Sequence, residues 1–296
     1  MIIICFRAYI KRFRENVHSP LRAEAAERYN CCGGAQRSRL RLPKPPGRET
    51  EMESMRNIVK LKKVIDGAKR IVLFTGAGFS VPSGIPDFRS AGGVYDGEFA
   101  GYSAEYMLSH ECLTLHPELF FAFYRAKMLY PDAKPNVAHL YFAGLERQGK
   151  LLSVVTQNID GLHQAAGSER VWELHGSVKR NVCTRCGREY DEEFILHSAG
   201  VPRCEVCGGT VRPRVVLYGE SLDSDVLSGA IEDITRADVL IIAGTSLAVY
   251  PAAMLPDYFR GGELVLLNKT PTARDGIATL AVYGDVADTV RGLSGS

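Results

Sequence analysis

Two cysteine pairs, Cys183-Thr184-Arg185-Cys186 and Cys204-Glu205-Val206-Cys207, stand with seventeen residues between them. Four thiolates on two such knuckles suit a tetrahedral zinc with bonds of about 2.3 Å. A Cys-x-x-Cys loop chelates a metal more readily than it closes a relaxed bridge, so zinc is preferred to two disulfides. Four protein ligands leave no open coordination position, and the ion's task would be to hold a small module together. Cys5, Cys31, Cys32 and Cys112 have no evident partners in the sequence and receive no role.

A second group of residues suits a nucleotide. Gly76-Ala77-Gly78-Phe79-Ser80 closes an apolar run, and absent side chains at such a turn let backbone N–H groups approach a pyrophosphate. A plain strand-to-helix turn accounts for the same residues, because Val81 stands where the dinucleotide fingerprint has its third glycine. Ala243-Gly244-Thr245-Ser246 also ends an apolar run and offers hydroxyls and amides to phosphate or ribose. Asn268, after Leu264–Leu267, is placed for a second ribose or adenine. Gln157, Asn158 and Asp160 end another run, where their short polar side chains either face a crevice or make an ordinary turn. His175 carries an imidazole that titrates near neutrality, the property of a general base; a structural histidine is the other reading.

These residues act together only if strand ends bring them to one place. Arg70–Thr75, Leu152–Thr156, Val215–Leu217, Val239–Ala243 and Leu264–Leu267 read as buried strands, separated by segments long enough for crossover helices. That alternation predicts an α/β fold with a doubly wound parallel sheet (Rossmann-like), whose ligands sit beyond the carboxyl ends of the strands. Met55, Ile58, Val59, Lys62 and Ile65 fall at helical spacing, with Gly67 where the helix stops. Between about Val182 and Arg212 the pattern breaks into the cysteine-bearing insert.

Residues 1–50 hold eleven Lys or Arg against four Asp or Glu, leaving 25 basic against 30 acidic residues for the remainder. An acidic body gives no electrostatic reason to expect nucleic acid as a partner. The longest apolar candidate, Val239–Leu255, is broken by Gly244, Thr245, Ser246 and Pro251, which argues against a membrane span. Residues 1–51 read as a leader apart from a domain at 52–296. The leader is a disordered segment, an extension ahead of a natural start at Met52 or Met55, or a targeting presequence, since Ile2–Arg14 is apolar, basic and free of acids. Paired metal-type cysteines favour a reducing compartment, the cytoplasm.

Three segments together carry a family likeness: Gly76 through Ser80 continuing to Pro86-Asp87-Phe88-Arg89, Thr156-Gln157-Asn158-Ile159-Asp160-Gly161-Leu162-His163, and Glu173-Leu174-His175-Gly176. In order and spacing they resemble the signature segments of the sirtuins, and the resemblance runs from Met55 to the C-terminus. It implies an NAD-dependent protein-lysine deacetylase. Nicotinamide leaves, the acetyl group passes from lysine to ADP-ribose, and deacetylated lysine and O-acetyl-ADP-ribose emerge. NAD would be a co-substrate and zinc structural.

The resemblance also implies roles. His175 takes a ribose hydroxyl proton. Gln157 and Asn158 hold the nicotinamide ribose, Asn158 also ordering a water, while Ile159, Asp160 and Asp87 hold nicotinamide. Phe88 screens the site, Arg89 orients phosphates, and Gly76, Ala77, Gly78, Gly244, Thr245, Ser246 and Asn268 line the rest of the NAD site. An acetyl-lysine peptide would lie as an added strand between Val216, Tyr218, Gly219 and Glu220 on one side and Val249 on the other, with little demand on sequence.

Other acyl groups and mono-ADP-ribosyl transfer remain alternatives. Members that favour acidic acyl groups resemble one another in a Tyr-x-x-Arg pair, for which this chain has Tyr124-Arg125-Ala126-Lys127, and lysine cannot grip a carboxylate in a bidentate fork. From a different class, the cysteine module resembles zinc ribbons that bind nucleic acid. Lys179, Arg180, Arg185, Arg188, Arg203, Arg212 and Arg214 lie near it, but so do Glu189, Asp191, Glu192, Glu193 and Glu205, which predicts a mixed solvated surface.

Overall fold

The apolar runs at 71–75, 151–156, 239–243 and 263–268 are five or six residues long, which suits one buried strand each and falls short of a helix. The structure, a computed structural model, describes residues 48–293 except Arg89, Ala91 and Asp96. Most of the segment read as a leader, and Arg89, thus lie outside the described residues.

In chain order the elements are helix α1 (Arg48–Gly67), strand β1 (Ile71–Thr75), and helices α2 (Ala104–Met107), α3 (His110–Leu115), α4 (Pro117–Lys127) and α5 (Val137–Arg147). Strand β2 (Leu151–Thr156), helix α6 (Leu162–Ala165), strands β3 (Val171–Glu173), β4 (Gly176–Cys183) and β5 (Glu189–Tyr190), helix α7 (Glu192–His197) and strand β6 (Val211–Val215) follow. Helix α8 (Ser224–Arg236), strands β7 (Val239–Ala243), β8 (Glu263–Asn268) and β9 (Leu280–Tyr283), and helix α9 (Val286–Leu293) complete the described chain.

Six strands form one parallel sheet in the order β3-β2-β1-β7-β8-β9. β1 and β7 are buried along their whole length, as strands covered on both faces must be. Alternate residues explain the two layers. Ile71 and Leu73 pack with Leu61 and Ile65 of α1, Phe142 of α5 and Val290 of α9, whereas Val72 and Phe74 pack with Ala230 and Ile234 of α8 and with Ala252 and Leu255. The chain leaves β1 toward one edge and returns through β7 toward the other. The crevice at this switch point, between the ends of β1 and β7, is where such folds bind ligands.

A second sheet, antiparallel and three-stranded in the order β5-β4-β6, carries the cysteines. Its core is shared with α2, α3 and α4 through Met107, Cys112, Phe120, Phe121, Tyr124, Val178, Val211 and Val215.

Three expectations change. The run at Val215–Leu217 is not a strand of the parallel sheet; it follows β6, where Val211, Pro213 and Val215 are buried while Arg212 and Arg214 lean outward. That alternation marks a strand with one wet face, and the sheet that carries the cysteines pairs from Gly176 with Val215 to Cys183 with Val211. Helix α1 begins at Arg48, ahead of Met52 and Met55, and its buried stripe runs through Leu61 and Ile65, with Met55 and Val59 turned outward. Strand β9 is an edge with only Val282 fully inside, too short to stand out in the sequence.

Candidate active site

Glycine is required at the crevice because two turns meet there main chain to main chain. A Cβ on Gly244, whose φ is +64°, would lie 2.2 Å from the Phe79 nitrogen, and one on Gly76 would lie 2.6 Å from the Thr245 Cβ. The Gly76 and Gly78 N–H groups donate to the carbonyls of Ala243 (3.1 Å) and Gly244 (2.8 Å). The glycines therefore bring the β1 and β7 turns together, and these two N–H groups are not the phosphate donors that the sequence suggested. Asn268 likewise turns inward: its Oδ1 accepts from the Thr245 N–H and its Nδ2 donates to the Thr245 carbonyl, both at 3.0 Å. It clamps the β7 turn. Gln157 Nε2 donates to Thr245 Oγ1 at 3.0 Å, tying the end of β2 to the same turn. Ser246 is exposed beside it, and Ala77 is half-buried.

The end of β2 holds the densest polar cluster. Asn158 Nδ2 donates to the Gly76 carbonyl and to Ser80 Oγ, each at 3.1 Å, while its Oδ1 accepts from none of the described residues. Ser80 Oγ donates to Asp160 Oδ2 at 2.7 Å, and the Leu162 N–H donates to Oδ1 at 2.8 Å. Burial raises the Asp160 carboxyl, against the Leu162 N–H, the Ser80 hydroxyl and Lys179. Ser80, completely buried, is a site residue that motif reading passed over; its signal was a hydroxyl next to a glycine turn. Asp87 and Phe88 sit on a separate loop. The Asp87 carboxylate accepts from Ser90 N–H and Oγ–H at 2.7 and 2.6 Å, and the Phe88 ring lies edge-on to Tyr95 with centroids 5.4 Å apart.

His175 follows β3 and precedes β4. Its Nδ1 lies 3.0 Å from the Gln157 carbonyl; a carbonyl only accepts, so Nδ1 carries the proton and Nε2 keeps the lone pair of a base. Burial lowers its pKa, the Gln157 contact opposing this, so the ring is neutral near pH 7. The same stretch is laced to its neighbours: the Val178 N–H donates to the Ile159 carbonyl and the Val216 N–H to the His175 carbonyl, both at 2.9 Å.

Gly176 makes this junction possible. Its φ is +75°, and a Cβ there would stand 2.0 Å from the Arg214 carbonyl oxygen. A left-handed non-glycine residue costs roughly 1–2 kcal/mol before any clash. Gly176→Ala should therefore lower the melting midpoint by at least about 4 °C, measured by thermal unfolding; an unchanged midpoint would contradict this account.

Beyond β6, Glu220 fastens its own loop. Arg212 grips it with both terminal nitrogens (2.6 and 3.1 Å), the Leu217 N–H donates to it at 3.0 Å, and His110 Nδ1 lies 2.9 Å away. Burial alone would raise this carboxyl, but these partners hold it at about 2. These bonds tie Glu220 into its own loop. The Val216 carbonyl and the Gly219 N–H take no partner among the described residues. Tyr218 is exposed, with its hydroxyl on that of Tyr95, and Val249 is half-buried.

The four paired cysteines converge, their sulfurs all within 4.8 Å of one another. Cys183 and Cys207 are 3.4 Å apart and Cys186 and Cys204 3.6 Å, near the edge of about 3.8 Å that a tetrahedron of 2.3 Å bonds requires. The residues present fit zinc. Around them Lys179 pairs with Glu192, Arg180 with Glu173, Arg188 with Glu205, Arg212 with Glu220 and Arg214 with Glu189. The basic cluster is thus largely neutralised, as the mixed composition predicted. Tyr124 is completely buried against Phe120, and Lys127 is exposed at the end of α4, so the two form no clamp.

A doubly wound sheet with a polar strand end and an unprotonated imidazole nitrogen by its switch-point crevice defines a nucleotide-using α/β enzyme. The comparisons narrow the class: the Sir2 family model matches residues 76–251, and the chain belongs to that family. It is 56% identical over 231 residues to an NAD-dependent protein deacetylase of Clostridium perfringens, covering 77% of this chain and 95% of the relative. A solved Sir2 structure with a deacetylated peptide and 3′-O-acetyl ADP-ribose superposes with a TM-score of 0.73 at 41% identity, over 80% of this chain and 96% of the other. One of Sir2 with a peptide and NAD+ gives 0.70 at 41%, over 78% and 95%.

Proposed function

We propose that this protein is an NAD-dependent protein-lysine deacetylase, which passes the acetyl group of an acetyl-lysine protein or peptide to ADP-ribose and releases nicotinamide. The observation that carries this reading is the fixed tautomer of His175, whose Nε2 is left as a base beside the crevice while its carbonyl holds Val216. The relatives named as deacetylases, and Sir2 structures with peptide and NAD+, support it.

Each residue has a task in that reaction. His175 Nε2 accepts the ribose hydroxyl proton, so that the oxygen attacks as the acyl group transfers. Asn158, both amide hydrogens committed, offers Oδ1 to the ribose or a water. Asp160, with Ile159 and Asp87, receives the nicotinamide amide; Phe88 covers the site and Arg89 steadies phosphates. Gln157 and Asn268 brace the turn at Gly244, Thr245 and Ser246, and Gly76, Ala77 and Gly78 form the facing wall. The peptide pairs with the Val216 carbonyl and the Gly219 N–H and passes Tyr218 and Val249, while Glu220 keeps that edge in shape. Zinc on Cys183, Cys186, Cys204 and Cys207 holds the module that presents β6. Acetyl is the preferred group, because Tyr124 and Lys127 build no acidic-acyl clamp.

The domain is taken as 52–296, with its helix reaching back to Arg48. We place the protein in the cytoplasm. Among the described residues no helix is long and apolar enough to cross a membrane, and none of the five described cysteines is in a disulfide.

The test is to incubate the protein with an acetyl-lysine peptide, with and without NAD, and to follow peptide and small products by mass spectrometry. Loss of acetyl only with NAD, together with O-acetyl-ADP-ribose, is the expected result. NAD consumed with the peptide unchanged would point to another acyl group or to ADP-ribosylation; no NAD consumed by a folded, zinc-loaded sample would overturn the enzyme reading.

A further inference from the structure

Beneath the turn that follows β1, two histidines are completely buried. His139 of α5 and His163 of α6 have ring centroids 4.7 Å apart, and Phe79 touches both, at 4.8 and 5.1 Å. The deacetylation chemistry described above uses neither. Burying an imidazole is costly unless its nitrogens are matched, and here one nitrogen of each ring has no partner: His139 Nε2 and His163 Nδ1.

The matched nitrogens fix the protons. The Asn136 N–H donates to His139 Nδ1 at 3.3 Å, so Nδ1 is the acceptor and Nε2 carries the hydrogen. On His163, Nε2 lies 3.1 Å from Thr75 Oγ1, which donates to Thr156 Oγ1 at 2.8 Å, and Thr156 Oγ1 also accepts the Asn158 N–H at 3.0 Å. With the Thr75 hydrogen spent on Thr156, His163 Nε2 must be the donor and Nδ1 the bare acceptor. The polarity therefore runs one way from the His163 Nε2–H to Thr75 and on to Thr156, whose Oγ1 also accepts the Asn158 N–H. Burial pushes the His139 pKa down to about 4 and, with His139 beside it, that of His163 well below its ordinary value, so both rings stay neutral.

We infer that His163 is a positioning residue. Held as the Nε2–H tautomer by Thr75, whose own hydrogen goes to Thr156, it orients the Thr75 and Thr156 hydroxyls so that Thr156 accepts the Asn158 N–H and keeps the Asn158 side chain aimed at the ribose. This rests on the deacetylase reading only for what Asn158 does; the tautomers stand on the hydrogen bonds alone.

Two variants separate polarity from packing. His163→Gln keeps a donor at the place of Nε2, whereas His163→Phe keeps a ring against Phe79 and loses the donor. In the acetyl-peptide assay His163→Phe should lose about tenfold to a hundredfold in kcat, the range typical of partners that orient a reacting group. The peptide KM should stay unchanged, since the Val216 edge is elsewhere. His163→Gln should stay within about threefold of the parent, and Thr75→Ser should match it while Thr75→Val behaves like His163→Phe. Equal rates for Phe and Gln would overturn the inference, as would a loss that appears only in the peptide KM. Nitrogen-15 spectra of the unmodified protein give a test independent of folding of any variant and of activity. They should show His163 protonated on Nε2 and bare on Nδ1 from pH 6 to 8, and the opposite tautomer would refute the assignment even if the parent deacetylates. If the parent fails to deacetylate yet shows the expected tautomer, the deacetylase reading falls and the relay stands.

Discussion

His175→Ala is expected to cut kcat for NAD-dependent deacetylation by about 10²–10⁴-fold, the range for removing a positioned general base. Binding of NAD and of the acetyl peptide should change little, because the crevice is walled by main chain at Gly76, Gly78 and Gly244. The pH profile of the parent carries the same assignment. Only the neutral ring accepts a proton, so kcat/KM should rise with pH and then level off. Burial lowers the His175 pKa from its ordinary 6.5, hence the midpoint of the acid limb should fall below that value. A midpoint above 7, or a His175→Ala variant with nearly full activity, would remove His175 from the reaction.

Zinc removal is the second large effect. Strand β4 starts at Gly176, next to the base, and ends on Cys183, while Cys204 precedes β6, the strand that leads to Val216. A structural zinc in a small domain contributes about 10–16 kcal/mol of apparent binding energy to folding. The six-stranded sheet has its own core through Leu73, Phe142 and Ile241, and it should outlast the module. Cys204→Ser, or a strong chelator, should therefore leave most of the circular dichroism signal. Activity should fall below about one hundredth, with one zinc per chain lost by elemental analysis. Retained activity in a zinc-free sample would mean that the module is dispensable.

The two effects bear on what could be read from the residues. The parallel strands were legible because strands buried on both faces are continuous apolar runs, as at Ile71–Thr75 and Val239–Ala243. The cysteine site was legible because chelation imposes a spacing that chance seldom supplies. The course of Val211–Val215 was not, since its partner β4 lies some thirty residues away and only its alternating arginines hinted at a wet face. Nor was the inward turn of Asn268 and Glu220. A polar side chain after a strand looks the same in sequence whether it meets a ligand or a neighbouring peptide group. Ser80, Thr75 and Thr156 were hidden for the same reason: a buried hydroxyl acts through geometry that residue type does not encode.

The proposed pairing of a peptide with the Val216 carbonyl and the Gly219 N–H, which take no partner among the described residues, has a consequence for target choice. A cleft that grips main chain distinguishes poorly between side chains, so ranking among substrates passes to the substrates themselves. A lysine on a floppy tail must surrender conformational entropy to straighten, about 1–2 kcal/mol per residue ordered. A lysine inside a helix must first be unwound. Acetylated sites in segments already extended, or needing little unfolding to become so, would be served first, and the pace at which any target is deacetylated would follow its own local melting.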